Sequence, residues 1–259
     1  MSFDVRTVDL RKLSSLTKYP SIETYHELDP KGGLLPVPGR CDGPVVATEK
    51  VDGTNARIVF LPDGSYLIGS REEFLYAMGD LLANPAMGLV EAVRPLADRL
   101  LGAFAANGPI VCVFGELFGA RVTAASKQYT GSGAAGYRLF DVGSLWNWRD
   151  LMQRPLEQIS AWRESEGPDW LPEAGLHEFA QVHRLELTPR VWTGDGSELP
   201  AGLDEMEAFV SGLVPRTRCA LDEGAGMRAE GVVLRSPDRR WIRKARLEDY
   251  ARTRRRAAR

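Results

Sequence analysis

The chain has 259 residues, 44% of them hydrophobic and 26% charged, with a formal net charge of −2, a composition ordinary for a soluble globular protein and a length that can bury a large core without staples. Its three cysteines (Cys41, Cys112, Cys219) form no CxxC pair and its three histidines (His26, His177, His183) show no HxxxH or HExxH spacing, which argues against a disulfide framework or a zinc site and suits a reducing, cytoplasmic setting. No signal peptide or membrane-spanning run is visible, so no membrane partner is expected.

In chain order, residues 1–40 hold a short helix-like stretch and then a Pro- and Gly-rich connection. Residues 44–71 read as a β-hairpin unit. Val45 to Thr48 is strand-like, and Asn55 to Phe60 alternates with Ala56, Ile58 and Phe60 on one face. Pro62-Asp63-Gly64-Ser65 is a turn, and Tyr66 to Gly69 leads back to Ser70-Arg71. Residues 79–107 carry a helical apolar pattern interrupted by Pro85 and Pro95. Ile110 to Phe118 predicts a strongly apolar strand with one acid, Glu116, and Tyr137 to Val142 predicts another strand. Residues 144–164 are helical in pattern, residues 165–200 are loop-rich with a strand near Val182 to Leu187, and Leu203 to Leu213 is a short amphipathic helix. Two late strands, Gly231 to Leu234 and Arg240 to Ala245, flank a Ser236-Pro237-Asp238 turn. The mixture is α+β, with strands dominating the segments that carry polar motifs.

Charge is uneven along the chain. From Arg235 to Arg259 there are 11 Arg and Lys against 3 Asp and Glu, a local balance of +8 that leaves −10 for the rest. A basic end on an acidic body suits contact with a polyanion, although Arg252 to Arg259 alone reads as a solvated, frayed tail.

The segment Glu49-Lys50-Val51-Asp52-Gly53-Thr54-Asn55 concentrates chemistry. An Asp-Gly turn after an apolar strand would hold an amine, a carboxylate and a carboxamide around one small space. Such a site suits a lysine nucleophile attacking the α-phosphate of a nucleotide, and it equally suits a plain hairpin. Further along, Glu116, Asp141 and Glu230 lie on or beside apolar strands, and Lys244 and Arg246 share one strand face. Charges so placed are costly unless they are paired or bind something.

In order and spacing these residues resemble the motifs of the covalent nucleotidyltransferase superfamily of polynucleotide ligases and messenger-RNA capping enzymes. Lys50-Val51-Asp52-Gly53-Thr54-Asn55 is similar to motif I, Ser70-Arg71 to motif Ia, and Phe114-Gly115-Glu116-Leu117-Phe118-Gly119 to motif III. Phe140-Asp141 is similar to motif IIIa, Glu230-Gly231-Val232-Val233 to motif IV and Lys244-Ala245-Arg246 to motif V. Asn55, Glu49 before Lys50, Gln128-Tyr129 and Lys18-Tyr19-Pro20-Ser21-Ile22-Glu23 resemble the RNA ligases of the phage nick-sealing (RNA ligase 2-like) type. The resemblance implies a nucleotidyltransferase (adenylation) domain over 1–247, the N-terminal segment 1–40 included, of mostly antiparallel sheets flanked by helices. A basic tail would occupy 248–259. Only 13 residues follow Arg246, too few for the OB-fold of DNA ligases and capping enzymes. The helical C-terminal domain of the phage enzyme is missing as well, and Arg246 stands where the group usually has lysine.

The resemblance further implies an ATP-dependent RNA ligase joining 5′-phosphate and 3′-hydroxyl ends in the cytoplasm, as in RNA repair. Lys50 would attack the ATP α-phosphate. A free lysine amine titrates near about 10.4, so attack requires loss of its proton. Phe140 would stack on adenine, and Glu116 and Arg71 would hold the ribose. Glu49, Gly53 and Asn55 would line the nucleotide site. Glu230 and Asp52 would hold hydrated Mg²⁺, with Mn²⁺ as the other candidate, and Lys244 and Arg246 would neutralise phosphate charge. RNA is the expected partner, with a second protein conceivable in place of the missing domain. The alternatives are a minimal DNA ligase, which Asn55 disfavours, and a partner-dependent nucleotidyltransferase or nucleic-acid end-binding module. Gly131-Ser132-Gly133-Ala134-Ala135-Gly136 matches GxGxxG, but it precedes a strand and opens no helix, so it reads as a flexible loop.

Overall fold

The computed structural model describes residues 7–83, 88–104, 107–120 and 122–258. Helix α1 (Leu10–Thr17) starts at Asp9, whose carboxylate accepts from the backbone N–H of Arg11 and Lys12, and it buries Leu13 and Leu16. Short strands β1 (Glu23–Thr24), β2 (His26–Asp29) and β3 (Gly33–Pro38) follow, and then β4 (Pro44–Lys50), β5 (Thr54–Phe60), β6 (Tyr66–Ser70), β7 (Phe74–Ala77) and β8 (Asp80–Leu81). After α2 (Leu89–Leu100) come the long strands β9 (Ile110–Gly119) and β10 (Ala135–Leu145), and then α3 (Trp148–Gln153), α4 (Leu156–Ser165), β11 (Asp169–Trp170) and α5 (Glu173–Val182). The chain continues through β12 (Arg190–Asp195), α6 (Leu203–Leu213), β13 (Gly231–Arg235), β14 (Ile242–Arg246) and α7 (Leu247–Ala257).

Two main sheets organise the molecule. One has five strands in the order β1-β14-β13-β4-β12, and the other has seven in the order β11-β10-β9-β5-β6-β7-β8. Pairing is antiparallel except for β1 beside β14, and no closed barrel occurs among the described residues. The pattern of β5 explains the seven-stranded sheet. Ile58 and Phe60 pack with Val93 of α2 and Leu176 of α5, while Val59 joins Leu13, Phe114, Trp148 and Trp162 under α1, α3 and α4. A strand covered on both faces reads as one apolar run, and each such side chain contributes about 1.5–3 kcal/mol by leaving water. The five-stranded sheet buries Val45, Val232 and Ala245 against Met206 and Val210 of α6 and Tyr250 of α7.

Several sequence expectations change in three dimensions. The hairpin over 44–71 is realised by β5 and β6, with Ala56 opposite Ser70, but β4 does not belong to it. β4 pairs with β12 and β13, so Val51-Asp52-Gly53 carries the chain from one sheet to the other. Gly53 suits that crossing, because a Cβ there would run into the Leu117 carbonyl. The helix expected over 79–107 is confined to Leu89–Leu100 and tolerates Pro95, whereas Pro85 lies outside the described residues. The region 165–200 contains a helix, α5, that its mixed composition concealed, and its strands are Asp169–Trp170 and Arg190–Asp195 rather than Val182–Leu187. The segment read as a frayed basic tail is helical to Ala257, held by buried Asp249 and Tyr250. The Tyr250 hydroxyl meets His26 Nδ1 at 3.0 Å, and Arg254 pairs with Glu207 at 2.9 Å. The glycine-rich loop before β10 opens no helix, and its Gly131 and Ser132 N–H groups are held by Asp222. No described helix is long and apolar enough to cross a membrane.

Candidate active site

Register brings the motif residues together. Lys50, the last residue of β4, lies opposite Gly231 of β13, which in turn lies opposite Arg246 of β14. Glu230 directly precedes Gly231, so its carboxylate sits beside the end of β4, and Lys50 Nζ donates to Glu230 Oε2 at 2.6 Å. A side chain at 231 would collide with the Ala245 carbonyl, so glycine permits the close approach of β13 and β14. Lys50, Val233 and Lys244 form one wall of a cavity of about 310 Å³ between the two sheets.

The opposite wall comes from the seven-stranded sheet. Asn55 faces Glu116 across β5 and β9, and the Gly53 N–H donates to Glu116 Oε1 at 3.2 Å. Burial pushes the Glu116 carboxyl up to about 7, with Glu230 adding to the rise and Lys50 opposing it. Asn55 Oδ1 is buried without a partner, a polar atom left over for a ligand. Phe140 is the extra residue of a β-bulge between Leu139 and Asp141. The bulge re-aims its ring into the cavity, edge-on to Tyr19 at 5.0 Å. Arg71 reaches the cavity from the end of β6 with a side chain 60% exposed.

The charges in the cavity are unbalanced towards cation. Burial lowers the Lys244 ammonium from its usual range, and Arg246, Lys50 and Arg71 lower it further. Burial also raises the Glu230 carboxyl, against the pull of Lys50. Positive groups that repel one another around an apolar slot make a receptor for an anionic, partly planar molecule.

Asp52, Glu230 and Arg246 are not among the residues that line the cavity, and Glu49, which does line it, has its carboxylate engaged elsewhere. The Glu49 carboxylate is buried and accepts from Thr217 Oγ1 and, at 2.7 Å, from the Arg218 N–H, so it ties the β4 end to the loop leading to Glu230. Asp52 lies in the crossing turn, with its N–H donating to Tyr129 Oη at 2.6 Å. Arg246 lies beyond Lys244 on the same face of β14, where Asp249 holds it in two contacts of 2.8 Å. Asp141, one of the acids beside the apolar strands, is fully buried and pairs with Arg239 at 2.7 Å. Among residues that sequence reasoning passed over, Thr48, Thr188, Ile242 and Arg235 also line the cavity. Arg235 had a usable signal, a charge closing an apolar strand. It donates to the Phe140 carbonyl at 2.9 Å and so fixes the bulge.

No group of three metal-ligating side chains occurs among the described residues. Mg²⁺ needs no such cage, because it keeps most of its water and takes one or two carboxylates plus substrate phosphates. Glu230 and Asp52, which feel each other's charge, are carboxylates of that kind.

The model of a family described as RNA ligase matches residues 43–252. No curated protein sequence matches the chain. Among solved structures, a mutant RNA ligase of Naegleria gruberi with ATP and Mn superposes with a TM-score of 0.56 at 13% identity, covering 90% of this chain and 63% of that one. Another mutant of that ligase, with AMP and Mn, gives a TM-score of 0.55 at 13% identity, with coverage of 90% and 63%. An archaeal ATP-dependent RNA ligase gives 0.55 at 18% identity, covering 90% of this chain and 49% of that one. The chain therefore shares their fold over most of its own length while spanning less than two thirds of theirs.

Proposed function

We propose, from the premise that this chain belongs to the RNA ligase family, that it is an ATP-dependent RNA ligase acting through a covalent lysyl-AMP. The observation that carries the reading is Lys50 Nζ, 2.6 Å from Glu230, in the wall of a cavity that the Phe140 ring also lines. An amine, a proton acceptor and an aromatic platform so spaced suit a nucleoside triphosphate with its base on the ring and its α-phosphate at the amine.

Lys50 Nζ gives a proton to Glu230 Oε2, which passes it to solvent and regains its charge, and the free amine attacks the α-phosphorus. The N–P bond forms, the P–O bond to pyrophosphate breaks, and the leaving group takes that bond's electrons. A 5′-phosphate oxygen of RNA next attacks the same phosphorus and the Lys50 N–P bond breaks. A 3′-hydroxyl then attacks the activated 5′-phosphate, AMP leaves, and a phosphodiester remains. Phe140 and Val233 sandwich the base, and a stacked base gains about 1–3 kcal/mol. Glu116 and Arg71 hold the ribose, with Glu116 able to donate in its protonated form. Asn55 supplies its unpaired Oδ1, and Lys244 and Arg246 offset the charge that develops on phosphate oxygens. Hydrated Mg²⁺ or Mn²⁺ held by Glu230 and Asp52 would neutralise further phosphate charge.

Incubation with α-³²P-ATP and divalent metal, followed by denaturing electrophoresis, tests the reading. Label that requires Lys50, exceeds that from α-³²P-GTP and passes to nicked RNA supports it. Absence of label from the wild-type chain refutes it. Label without sealing of RNA or DNA nicks would restrict the chain to nucleotidyl transfer and assign end joining to a further protein.

A further inference from the structure

The last helix bears directly on the site. Asp249, 2% exposed, receives Arg246 Nε on one carboxylate oxygen and Arg246 Nη2 on the other, each at 2.8 Å, and Arg252 Nη2 at 2.7 Å. This fork fixes the plane of the Arg246 guanidinium and leaves its Nη1 edge free. The tether has a physical reason. Arg246 stands in a crowd of cations with Lys244 and Lys50, where repulsion would drive an untethered arginine out into solvent. Asp249 is itself immobile because α7 is docked at several points. Tyr250 is buried against His26, Thr253 accepts the Leu34 N–H at 2.9 Å, and Arg256 donates to the carbonyls of Lys31 and Gly32.

We propose that Asp249 is a positioning residue that holds Arg246 with its Nη1 edge towards the phosphate undergoing transfer, and that α7 exists in part to place Asp249. The inference rests on the reading of the cavity as a lysyl-adenylation site. It makes the arginine at 246 and the acid at 249 one unit. An ammonium has no plane for a fork to fix, so a lysine at 246 should work without the acid.

A double-mutant cycle on the full chain tests this, using the single-turnover rate of Lys50-AMP formation at saturating ATP together with thermal midpoints. Asp249→Asn keeps the volume but offers an amide N–H to donors that need an acceptor, and it is expected to slow labelling about 10- to 100-fold, the effect of a misplaced catalytic contact. Arg246→Lys sets the second background, in which added Asp249→Asn should change the rate less than about threefold. A purely structural role predicts otherwise: an equal rate loss from Asp249→Asn in both backgrounds, tracking the drop in midpoint. That result overturns the proposal, as does a wild-type rate for Asp249→Asn. No label from the wild-type chain overturns the adenylation reading and this inference with it, so the two failures are distinct.

Discussion

Two clusters of charge flank the cavity, and they are resolved in opposite ways. Beneath Phe140, Asp141 meets Arg239 at 2.7 Å and the Tyr19 hydroxyl at 2.6 Å, while Glu173 meets Arg190 at 2.6 Å and also pairs with Arg235. Burial would raise Glu173, yet the two guanidiniums hold it down to about 2. Across the cavity, Lys50, Lys244, Glu230 and Glu116 are only partly matched, and there burial prevails: Glu116 is pushed up to about 7 and Lys244 is lowered. A cluster whose charges answer one another is scaffold. A cluster that leaves its charges facing a cavity is arranged for something yet to bind.

Breaking each cluster should therefore give opposite phenotypes. Lys50→Ala is expected to remove all covalent label while lowering unfolding free energy by less than about 2 kcal/mol, because Glu230 loses its partner but is not fully buried. Its counterpart, Asp141→Ala, leaves buried Arg239 without its carboxylate and should cost about 3–5 kcal/mol in urea unfolding. A Lys50 variant that unfolds easily, or an Asp141 variant as stable as the parent, would erase the distinction. Phe140→Ala stands between the clusters and should raise the KM for ATP about tenfold while sparing the fold, as loss of one stacking platform would.

Glu116 sharpens the contrast through pH. Its carboxyl titrates near 7 in the folded chain against the usual 4.5, so between those values the folded state holds a proton that the unfolded state has lost. Stability then falls as pH rises from 4.5 to 7, with no contribution below that window and a constant penalty above it. Thermal midpoints at pH 5, 6, 7 and 8 should show Glu116→Gln gaining on the wild type by about 2 kcal/mol across the range. Parallel curves would mean that Glu116 is not desolvated. The smallest effect is expected from exposed Arg255. Arg255→Gln should leave the midpoint alone and change the salt slope of RNA binding by about 1 or less.

Much of the site was legible in the chain because its residues interrupt apolar strands. Lys50, Glu116, Glu230 and Lys244 stand where a buried strand has no structural use for charge. The scaffold cluster was not legible. Asp141 stood out beside an apolar strand, but its partners did not, since Tyr19 is 122 positions away and Arg239 98. Glu173 lies in α5, whose burial is limited to Leu176 and Ala180, too weak a pattern to announce a helix. Asp249 was absorbed into a basic tail because local composition there counts arginines and cannot show which of them it holds.

The sequence by itself determined the local matters: strand and helix periods, the α+β character, and the ordered set of reactive groups with their spacings. These follow from short-range sterics and from the cost of placing charge in apolar strands. Tertiary structure alone decided that the Asp-Gly turn crosses between sheets instead of closing a hairpin, that Phe140 sits on a bulge, and which charges answer one another. Strand partners are chosen by how whole faces pack. Whether a carboxylate becomes scaffold or site depends on distances between residues far apart in the chain, and only the folded molecule sets those.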